Sequence, residues 1–260
     1  MFRKKHDVAE RSRSLLKSSA AKRIKIDILA ALPSLTREVL DELIPNKDGI
    51  EVVKLASKAL VYIHVPTKTP LFFDADGRGN IYPTVYALWA TAGTGSSACC
   101  PSLVVHAPVS KFVLNGADIM LPGVVVRDPS EANYMLGERR CVVANGNPTP
   151  YAVGEMLRDS EGIVMCGMTG KGLKVMHCYL DFLWEMGPKT LPNEGFQLEG
   201  VLPVAMPAEA APGVAAVEAA GALEPPFSAP SVDTLTAGCW EELSPGAEGL
   251  GEAHGAEKRG

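Results

Sequence analysis

The chain has 260 residues, of which 47% are hydrophobic and 21% are charged, and its formal net charge at pH 7 is −5. This ordinary globular composition allows one large domain or two small domains with a tail, and it needs no disulfide or metal to complete a core. The longest stretch without Asp, Glu, Lys or Arg, residues 79–110, is interrupted by several Gly and Pro residues. These interruptions exclude it as a membrane span.

The first 25 residues form a strongly basic leading arm. They hold nine Lys or Arg against two acids, whereas residues 201–260 hold two bases against nine acids. The average charge of the chain therefore conceals a positive segment that suits a polyanionic partner. An Arg- and Ser-rich start with few acids is also typical of organellar transit peptides, so that alternative stays open.

Apolar spacing predicts two helices near the start of the chain. Residues 12–31 place apolar side chains at helical intervals with bases between them, which predicts a helix over that range. The next pattern predicts a second helix over Thr36–Leu43, with Thr36 as its N-terminal cap and Pro45 just beyond its end.

Short β-rich runs follow these helices. Asp74–Asn80 is rich in Gly and Asp and predicts a hairpin turn, and Tyr82–Trp89 is typical of a helix with Pro in its first turn. The predicted strands are Ile50–Leu55, Ala59–Val65 and Pro70–Phe73. Together these elements predict a compact α+β domain over residues 1–92.

A second domain is predicted over residues 99–190, after a Gly/Ser-rich break at 91–98. Short strands separated by Gly and Pro turns favour a barrel or sandwich, and Tyr179–Met186 is typical of a closing helix. The predicted strands are Leu103–His106, Lys111–Leu114, Val124–Arg127, Arg140–Ala144 and Ala152–Met156. Residues 205–260 are dominated by Ala, Pro, Gly and Glu, which predicts a disordered tail.

The segment Lys111–Val124 combines an apolar run with two turn dipeptides. Asn115-Gly116 tolerates positive φ, and in Pro122-Gly123 the Pro fixes φ while the Gly supplies a left-handed position. We therefore expect a tight corner of a small β-barrel, with Asp118 at the surface. The segment resembles, nearly residue for residue, the signature of PUA domains, which are RNA-binding pseudobarrels. Its form is that of the ligatin (translation initiation factor 2D) family and the related malignant T-cell amplified sequence family.

Further landmarks of this family occur in order over about residues 1–200. The chain opens Met1-Phe2-Arg3-Lys4-Lys5, as ligatin-like proteins open with Met-Phe and basic residues. The later landmarks are Leu43–Lys47, Leu71–Phe73, Tyr82–Trp89, Gly170–Tyr179, Leu183-Trp184 and Pro192–Phe196. The resemblance implies an α+β protein with a small N-terminal α/β pre-PUA domain, a PUA β-pseudobarrel and the disordered tail.

The resemblance also implies a role in translation. It indicates a cytoplasmic factor that docks on small ribosomal subunit rRNA and assists GTP-independent tRNA recruitment, reinitiation or post-termination recycling. Initiator or deacylated tRNA is an implied ligand. Ligatin continues into SWIB and SUI1-type domains that the 260 residues do not contain. Three interpretations stay open: a truncated gene model, a fragment, or a short form that needs a partner protein with a SUI1 domain.

Candidate RNA contacts fall into two groups. The arm supplies bases that neutralise phosphates and release condensed counterions, and the barrel supplies lysines beside glycines that allow close approach of the backbone. The arm residues are Arg3, Lys4, Lys5, Arg11, Arg13, Lys17, Lys22 and Arg23; the barrel residues are Lys111, Gly116, Asp118, Gly123, Lys171 and Lys174.

Each of these candidates also has a purely structural interpretation. The arm could be a solvated amphipathic helix, the glycines could serve only turn geometry, and Asp118 more readily caps a turn than contacts RNA. The aromatic residues Tyr82, Tyr86 and Trp89 could stack on bases, but a helical aromatic stripe favours core packing, as it does for Tyr179, Phe182 and Trp184.

Enzyme signatures are weak. A P-loop at Gly170-Lys171 would need Gly where Met165 stands and a hydroxyl where Gly172 stands. The six cysteines show no paired zinc spacing and no secretory segment precedes them, so we expect reduced cytosolic thiols. A catalytic pair of Cys99 or Cys100 with His106 would lack an acid nearby in the sequence to orient the histidine. We therefore expect no catalytic residue, metal or cofactor, with a PUA accessory protein of tRNA or rRNA modification as the alternative function.

Overall fold

The computed structural model describes residues 2–92, 99–126 and 133–204. Within these ranges the backbone forms two five-stranded sheets, a two-stranded hairpin and six α-helices. The predicted tail at 205–260, which includes Cys239, lies outside the described residues, as does most of the predicted break at 91–98. The domain boundary placed at that break stays a prediction.

The first sheet is an antiparallel meander whose strands follow chain order. Two helices, α1 (Ser18–Ala31) and α2 (Arg37–Leu43), connect its first two strands, and α3 (Val85–Ala92) follows its last strand. The strands are β1 (Glu10–Leu15), β2 (Ile50–Leu55), β3 (Leu60–His64), β4 (Thr69–Asp74) and β5 (Ile81–Pro83). The three strands predicted from short β-rich runs are thus present, with ends that differ by about one residue.

Two local features of this domain agree with their sequence signals. The Thr36 hydroxyl accepts a hydrogen bond from the Val39 amide at 3.4 Å, which caps α2. The β4–β5 turn is organised by Asp74, whose carboxylate accepts hydrogen bonds from four backbone amides of residues 76–80 at 2.7–3.3 Å. An Asx-type network of this kind fixes the hairpin without apolar contacts.

The prediction of one helix over residues 12–31 is wrong in its first part. Residues Glu10–Leu15 form β1, which pairs antiparallel with β2, and the helix begins only at Ser18. Every residue of β1 is exposed, so no apolar alternation marks the strand. The backbone of β2 supplies the hydrogen bonds that hold this edge strand.

The predicted helix Tyr82–Trp89 begins later than its sequence suggests. Tyr82 and Pro83 lie in β5, opposite Phe73 and Phe72 of β4, and α3 starts at Val85. Pro83 is tolerated because β5 is the last strand of the sheet and its missing amide leaves no ladder bond unmade.

The second sheet curls into a barrel. Its order is β6-β8-β9-β10-β7, with β6 and β8 parallel and the other pairs antiparallel. The strands are β6 (Ser102–Val105), β7 (Ile119–Met120), β8 (Arg139–Ala144), β9 (Asn147–Met156) and β10 (Lys171–Cys178). Just beyond β7, Val124 bridges to Val105 and the Val125 amide donates to the Val104 carbonyl at 2.9 Å. One stretch of chain therefore contacts both edges of the sheet and closes it.

Short helices and a hairpin complete this part of the chain. The helices are α4 (Val109–Leu114), α5 (Ser160–Met165) and α6 (Phe182–Glu185), and the hairpin joins β11 (Phe196–Gln197) to β12 (Gly200–Val201). Strands β8 and β9 confirm the predictions at Arg140–Ala144 and Ala152–Met156, whereas the predicted helix Tyr179–Met186 shortens to α6.

Two strand predictions in the barrel are wrong. Residues Lys111–Leu114 belong to α4, because Pro108 stands at its N-terminal cap and Asn115-Gly116 ends it. A run of three apolar residues, Phe112–Leu114, does not distinguish helix from strand. Val124 makes only an isolated bridge, so no strand spans the described residues 124–126. Arg127, the last residue of that predicted strand, lies outside the described residues.

The two glycines of the signature turn play different parts. Gly116 has φ +103°, so the left-handed position expected at Asn115-Gly116 is confirmed. The prediction of a left-handed position at Gly123 is wrong. Gly123 lies in a 3-10 turn, Leu121–Gly123, and its φ is not positive. A Cβ at Gly123 would stand 3.0 Å from Val109 Cγ2, so this glycine allows α4 to pack closely.

Aromatic side chains join the two sheets in one core. Phe73 of β4 packs edge-on to His177 of β10 at 5.8 Å between ring centroids, and Phe2 packs against both. The Tyr86 hydroxyl donates to the Trp184 carbonyl at 2.7 Å, and the Trp89 indole donates to the Pro150 carbonyl at 2.7 Å. These contacts confirm the core interpretation of the aromatic stripe on α3.

We predict that Gly116→Val destabilises the protein by about 1–3 kcal/mol, because a β-branched residue resists the left-handed backbone. Thermal unfolding measures the loss. Gly116→Asn is the matched control and should retain more stability, since Asn tolerates this region. Equal melting temperatures for Gly116→Val and the parent protein would contradict the turn geometry.

Alkaline pH should also destabilise the fold. Burial raises the pKa of the Cys99 thiol to about 11, so between about pH 9 and 11 the unfolded chain has released a proton that the folded chain keeps. Stability should therefore be full below this window and fall by up to about 3 kcal/mol across it. Urea unfolding at pH 8 and 10.5 measures this loss of stability. The Cys99→Ala variant should lose less stability than the parent protein over the same interval. Equal losses would show that Cys99 does not cause the pH dependence.

Candidate nucleic-acid interface

The basic leading arm is folded onto the protein. Phe2 is fully buried, and its carbonyl accepts a hydrogen bond from the Phe182 amide at 3.0 Å. Residues Lys5–Val8 form a 3-10 turn that leads directly into β1. The bases of the arm are therefore held at defined positions on a surface, and some of them have structural partners.

Arg3 is half-buried against the end of α4. Its guanidinium donates hydrogen bonds to the carbonyls of Val113 and Leu114, the last two residues of α4. The Val113 carbonyl also accepts from the Gly116 amide at 2.9 Å. The last carbonyls of a helix have no following turn to donate to them, and a cation at this end complements the helix dipole. Gly116 lies directly beside this contact, since a Cβ there would stand 3.6 Å from Arg3 Nε. Arg3 therefore has a structural role in the described residues, and its contact with RNA stays a prediction.

Two further arm bases are engaged in ion pairs. Arg13 contacts Glu10 at 2.8 Å and Glu51 at 2.7 Å, and the hydrogen bond with Glu10 raises its pKa above the usual range. Arg23 pairs with Asp27 at 3.0 Å, one helical turn further along α1. Pairing lowers the positive potential that these two bases present to phosphate, although both remain accessible to solvent.

Five other arm bases are exposed and form no ion pair with a described residue. They are Lys4, Lys5, Arg11, Lys17 and Lys22. Lys22 lines a cleft of about 240 Å³ together with Lys25 and Lys47. Lys25 is held by Asp41 and Asn46, whereas Lys47 is exposed. Lys47 is a candidate that the sequence reasoning missed, because it stands 22 positions beyond the arm and joins it only in the fold.

The barrel candidates surround α4 and β10. Lys111 is exposed on α4, and Lys174 is exposed on β10. The Asp118 carboxylate accepts a hydrogen bond from Lys171 Nζ at 2.9 Å and another from the Val175 amide at 3.2 Å. Asp118 therefore ties the turn after α4 to β10, in agreement with its expected structural role, and it orients Lys171.

The backbone carbonyls on either side of Lys171 accept hydrogen bonds from neighbouring segments. The Gly170 carbonyl accepts from the Leu121 amide and the Gly172 carbonyl from the Leu157 amide, each at 2.8 Å. A Cβ at Gly172 would stand 2.6 Å from Leu121 Cδ2. These glycines allow chain crossing, and a contact of the backbone amides of this segment with phosphate stays a prediction.

The described residues offer little to other chemistries. Among them, no group of three or more His, Cys, Asp or Glu side chains could hold a metal ion, and no helix is long and apolar enough to cross a membrane. Cys99 and Cys100 are buried, and burial raises the pKa of the Cys99 thiol. A neutral buried thiol is a poor nucleophile.

Comparison with protein families matches two consecutive domains. Residues 2–91 match the model of a Pre-PUA-like domain, and residues 100–182 match the model described as the PUA domain of eIF2D. The two matches together span both sheets of the structure.

Curated relatives match over the same part of the chain. Eukaryotic translation initiation factor 2D of Mus musculus is 33% identical, and that of Rattus norvegicus 34%, over 184 residues. Each alignment covers 70% of this chain, which spans only 31% of the length of these relatives. Translation machinery-associated protein 20 of Saccharomyces cerevisiae is 28% identical over 187 residues, with 71% of this chain and 97% of the yeast protein covered.

A solved structure supports the fold. A hypothetical protein of Pyrococcus horikoshii superposes with a TM-score of 0.52 at 24% sequence identity. The alignment covers 68% of this chain and 99% of the archaeal protein. The archaeal protein thus shares this fold, and the Pre-PUA-like and PUA models cover its two sheets in this chain.

We predict that Arg3→Gln lowers the free energy of unfolding by about 1.5–3 kcal/mol, because it removes charged hydrogen bonds to helix-end carbonyls. Lys5→Gln is the matched control and should change stability by less than about 0.5 kcal/mol, since Lys5 is exposed and has no ion-pair partner among the described residues. Urea unfolding of the two variants tests the difference; equal effects would exclude the structural role of Arg3.

Proposed function

Residues 2–182 belong to the Pre-PUA and PUA domain family of eukaryotic translation initiation factor 2D, and on that basis we propose that the chain is an RNA-binding translation factor. It acts in the cytoplasm and docks on the rRNA of the small ribosomal subunit. The observation that carries this proposal is the coincidence of the family match with a surface of exposed cations that have no ion-pair partner among the described residues.

Electrostatic attraction supplies the sequence-independent part of the affinity. Each Lys or Arg that neutralises a phosphate releases condensed counterions, which favours binding at low salt. Five such bases lie in the first 22 residues, and Lys47 extends this surface at the cleft beside α1. Because these residues stand on folded elements, they form a fixed surface that approaches RNA without first losing the entropy of a free arm.

The barrel contributes a second contact. Lys111, Lys171 and Lys174 project from α4 and β10, and Asp118 holds the Lys171 ammonium at 2.9 Å. Gly116 and Gly123 act indirectly, by ending α4 and by letting it pack closely. The two surfaces contact separate parts of the rRNA, and the shared aromatic core sets their relative orientation.

The proposed task of the docked protein is GTP-independent tRNA recruitment during reinitiation, or release of tRNA after termination. Initiator or deacylated tRNA is the ligand of this step. The part of the chain that matches its relatives corresponds to about a third of their length. A protein that carries a SUI1 domain is the proposed partner in this step.

The electrostatic role is tested by salt dependence. The combined variant Lys5→Gln, Arg11→Gln, Lys17→Gln and Lys22→Gln should bind purified small subunits more weakly and with a shallower dependence on salt. Each lost phosphate contact lowers the slope of log affinity against log salt by about 0.7–0.9, so a change of about 3 is expected. Fluorescence anisotropy of the labelled protein against subunits, from 50 to 200 mM KCl, measures both quantities.

The paired bases provide the control. Arg13→Gln with Arg23→Gln removes charge of the same sign from the same elements, yet should reduce the slope by less per residue, because acids already neutralise these side chains. An unchanged slope in the fourfold variant would refute the arm as a binding surface. Preference for free tRNA over small subunits would instead favour an accessory role in RNA modification.

A further inference from the structure

One aromatic side chain on the barrel surface faces solvent. Phe112 of α4 is 63% exposed, whereas every other Phe, Tyr or Trp among the described residues is buried or half-buried. Its ring makes no contact with another aromatic ring of the described residues. A single exposed apolar residue is ordinary on a protein surface, so the meaning of Phe112 depends on what surrounds it.

The backbone that carries Phe112 is held firmly by the barrel. The neighbouring Val113 is fully buried, and the buried Ser110 hydroxyl accepts a hydrogen bond from the Val201 amide of β12 at 2.8 Å. The Phe112 carbonyl in turn accepts from the Ala117 amide at 3.0 Å. The ring therefore projects from an ordered helix, and a ligand that binds it does not first have to order this segment.

Cations stand near both ends of α4. Lys111, directly before Phe112, is exposed and forms no ion pair with a described residue. At the C-terminal end of the helix the Arg3 guanidinium donates to the last two carbonyls, which brings the next residue of the arm, the exposed Lys4, near the same end. The basic arm and the barrel, far apart in the sequence, therefore meet at α4.

Few acids oppose these cations on the elements that pack against α4. Strand β10 carries no acid, and Asp118 is held by Lys171 at 2.9 Å. Glu199 is exposed in the turn between β11 and β12, a hairpin that packs on the start of α4. The surface around Phe112 is therefore apolar at its centre and positive on balance at its margin.

This chemistry fits an unpaired nucleotide better than an apolar protein segment. Single-strand binders stack bases on aromatic side chains while nearby cations follow the phosphates. A nucleotide thus offers a flat ring to Phe112 and a negative charge to the lysines, and each neutralised phosphate releases counterions. An apolar protein segment would cover the ring but would remove solvent from unpaired ammonium groups without replacing it.

We propose that Phe112 stacks on an unpaired base of the bound RNA, with Lys111 and Lys4 at the flanking phosphates. This inference rests on the proposed RNA-binding function and adds to it a requirement for a single-stranded segment. The bases of a duplex already stack on their neighbours, so Phe112 contributes to the affinity for single strands alone. The contact tolerates any sequence, because every base has a π face.

Binding of full-length variants to single-stranded and duplex RNA tests the stack. Phe112→Ala should weaken binding to a short oligouridine about fivefold or more, which is the smallest effect expected for loss of one stacked base. Its binding to a duplex of the same length should not change. Phe112→Trp should bind the oligouridine at least as tightly as the parent protein, whereas Phe112→Leu, which is apolar but has no π face, should resemble Phe112→Ala.

Two controls separate stacking from charge and from folding. The dependence of log affinity on log salt should keep the slope of the parent protein in each variant at Phe112, because no cation is removed. Met165→Ala is the matched control, since Met165 of α5 is apolar and 88% exposed, and it should leave oligouridine binding unchanged. Thermal unfolding should show parent-like melting temperatures for all of these variants, because both side chains are exposed.

Photocrosslinking locates the contact directly. An oligouridine with one 5-iodouridine reacts on irradiation with an aromatic side chain that stacks on it. Mass spectrometry of the digested adduct should place the modification at Phe112 in the parent protein, and the adduct should be lost in Phe112→Leu.

Three outcomes would overturn the stack. They are equal oligouridine affinities of the parent protein and Phe112→Ala, which would leave Phe112 to a protein partner; parent-like binding by Phe112→Leu, which would show an apolar contact; and equal losses on single strand and duplex. A parent protein that binds neither RNA nor small subunits would instead refute the proposed function, and the stack with it.

Discussion

The structure depends on a shared aromatic core between its two sheets. Phe2 stands at the centre of this core, between Phe73 of the first sheet and His177 of the second. Its burial brings Arg3 to the end of α4, so the first residues of the chain hold both sheets. Large aromatic side chains contribute most of the apolar area in such contacts, and their loss would separate the two surfaces proposed to bind RNA.

This constraint changes the electrostatic picture of the leading arm. A count of bases treats nine cations as equivalent, but the fold assigns them different environments. Arg3 satisfies helix-end carbonyls, Arg13 and Arg23 face carboxylates, and the remaining exposed bases keep their charge available. Exposed ion pairs contribute little to stability, typically less than about 1 kcal/mol, yet they decide how much positive potential remains for a polyanion.

The residues that carry the family resemblance are mostly structural. Tyr86 and Trp89 bind the first domain to the second, Asp118 joins a turn to β10, and Gly116 ends α4. A signature made of core and turn residues identifies a fold with high specificity, because their geometry tolerates few substitutions. It says less about binding, since exposed lysines on the same elements are free to vary in position without cost to the fold.

The sequence by itself determined the features that depend on neighbouring residues. These include the strands β2, β3 and β4, the Thr36 cap, the Asp74 turn and the left-handed Gly116, together with the family and its order of domains. Only the tertiary structure decided the features whose partners lie far along the chain. Segment 10–15 is a strand because its backbone pairs with that of β2. Arg3 donates to carbonyls that lie more than a hundred positions away in the sequence. The spacing of the four apolar residues of α4 fits a helix and a strand equally well, and only packing in the folded protein distinguishes the two. Local spacing carries no information about hydrogen-bond and ion-pair partners that lie far along the chain.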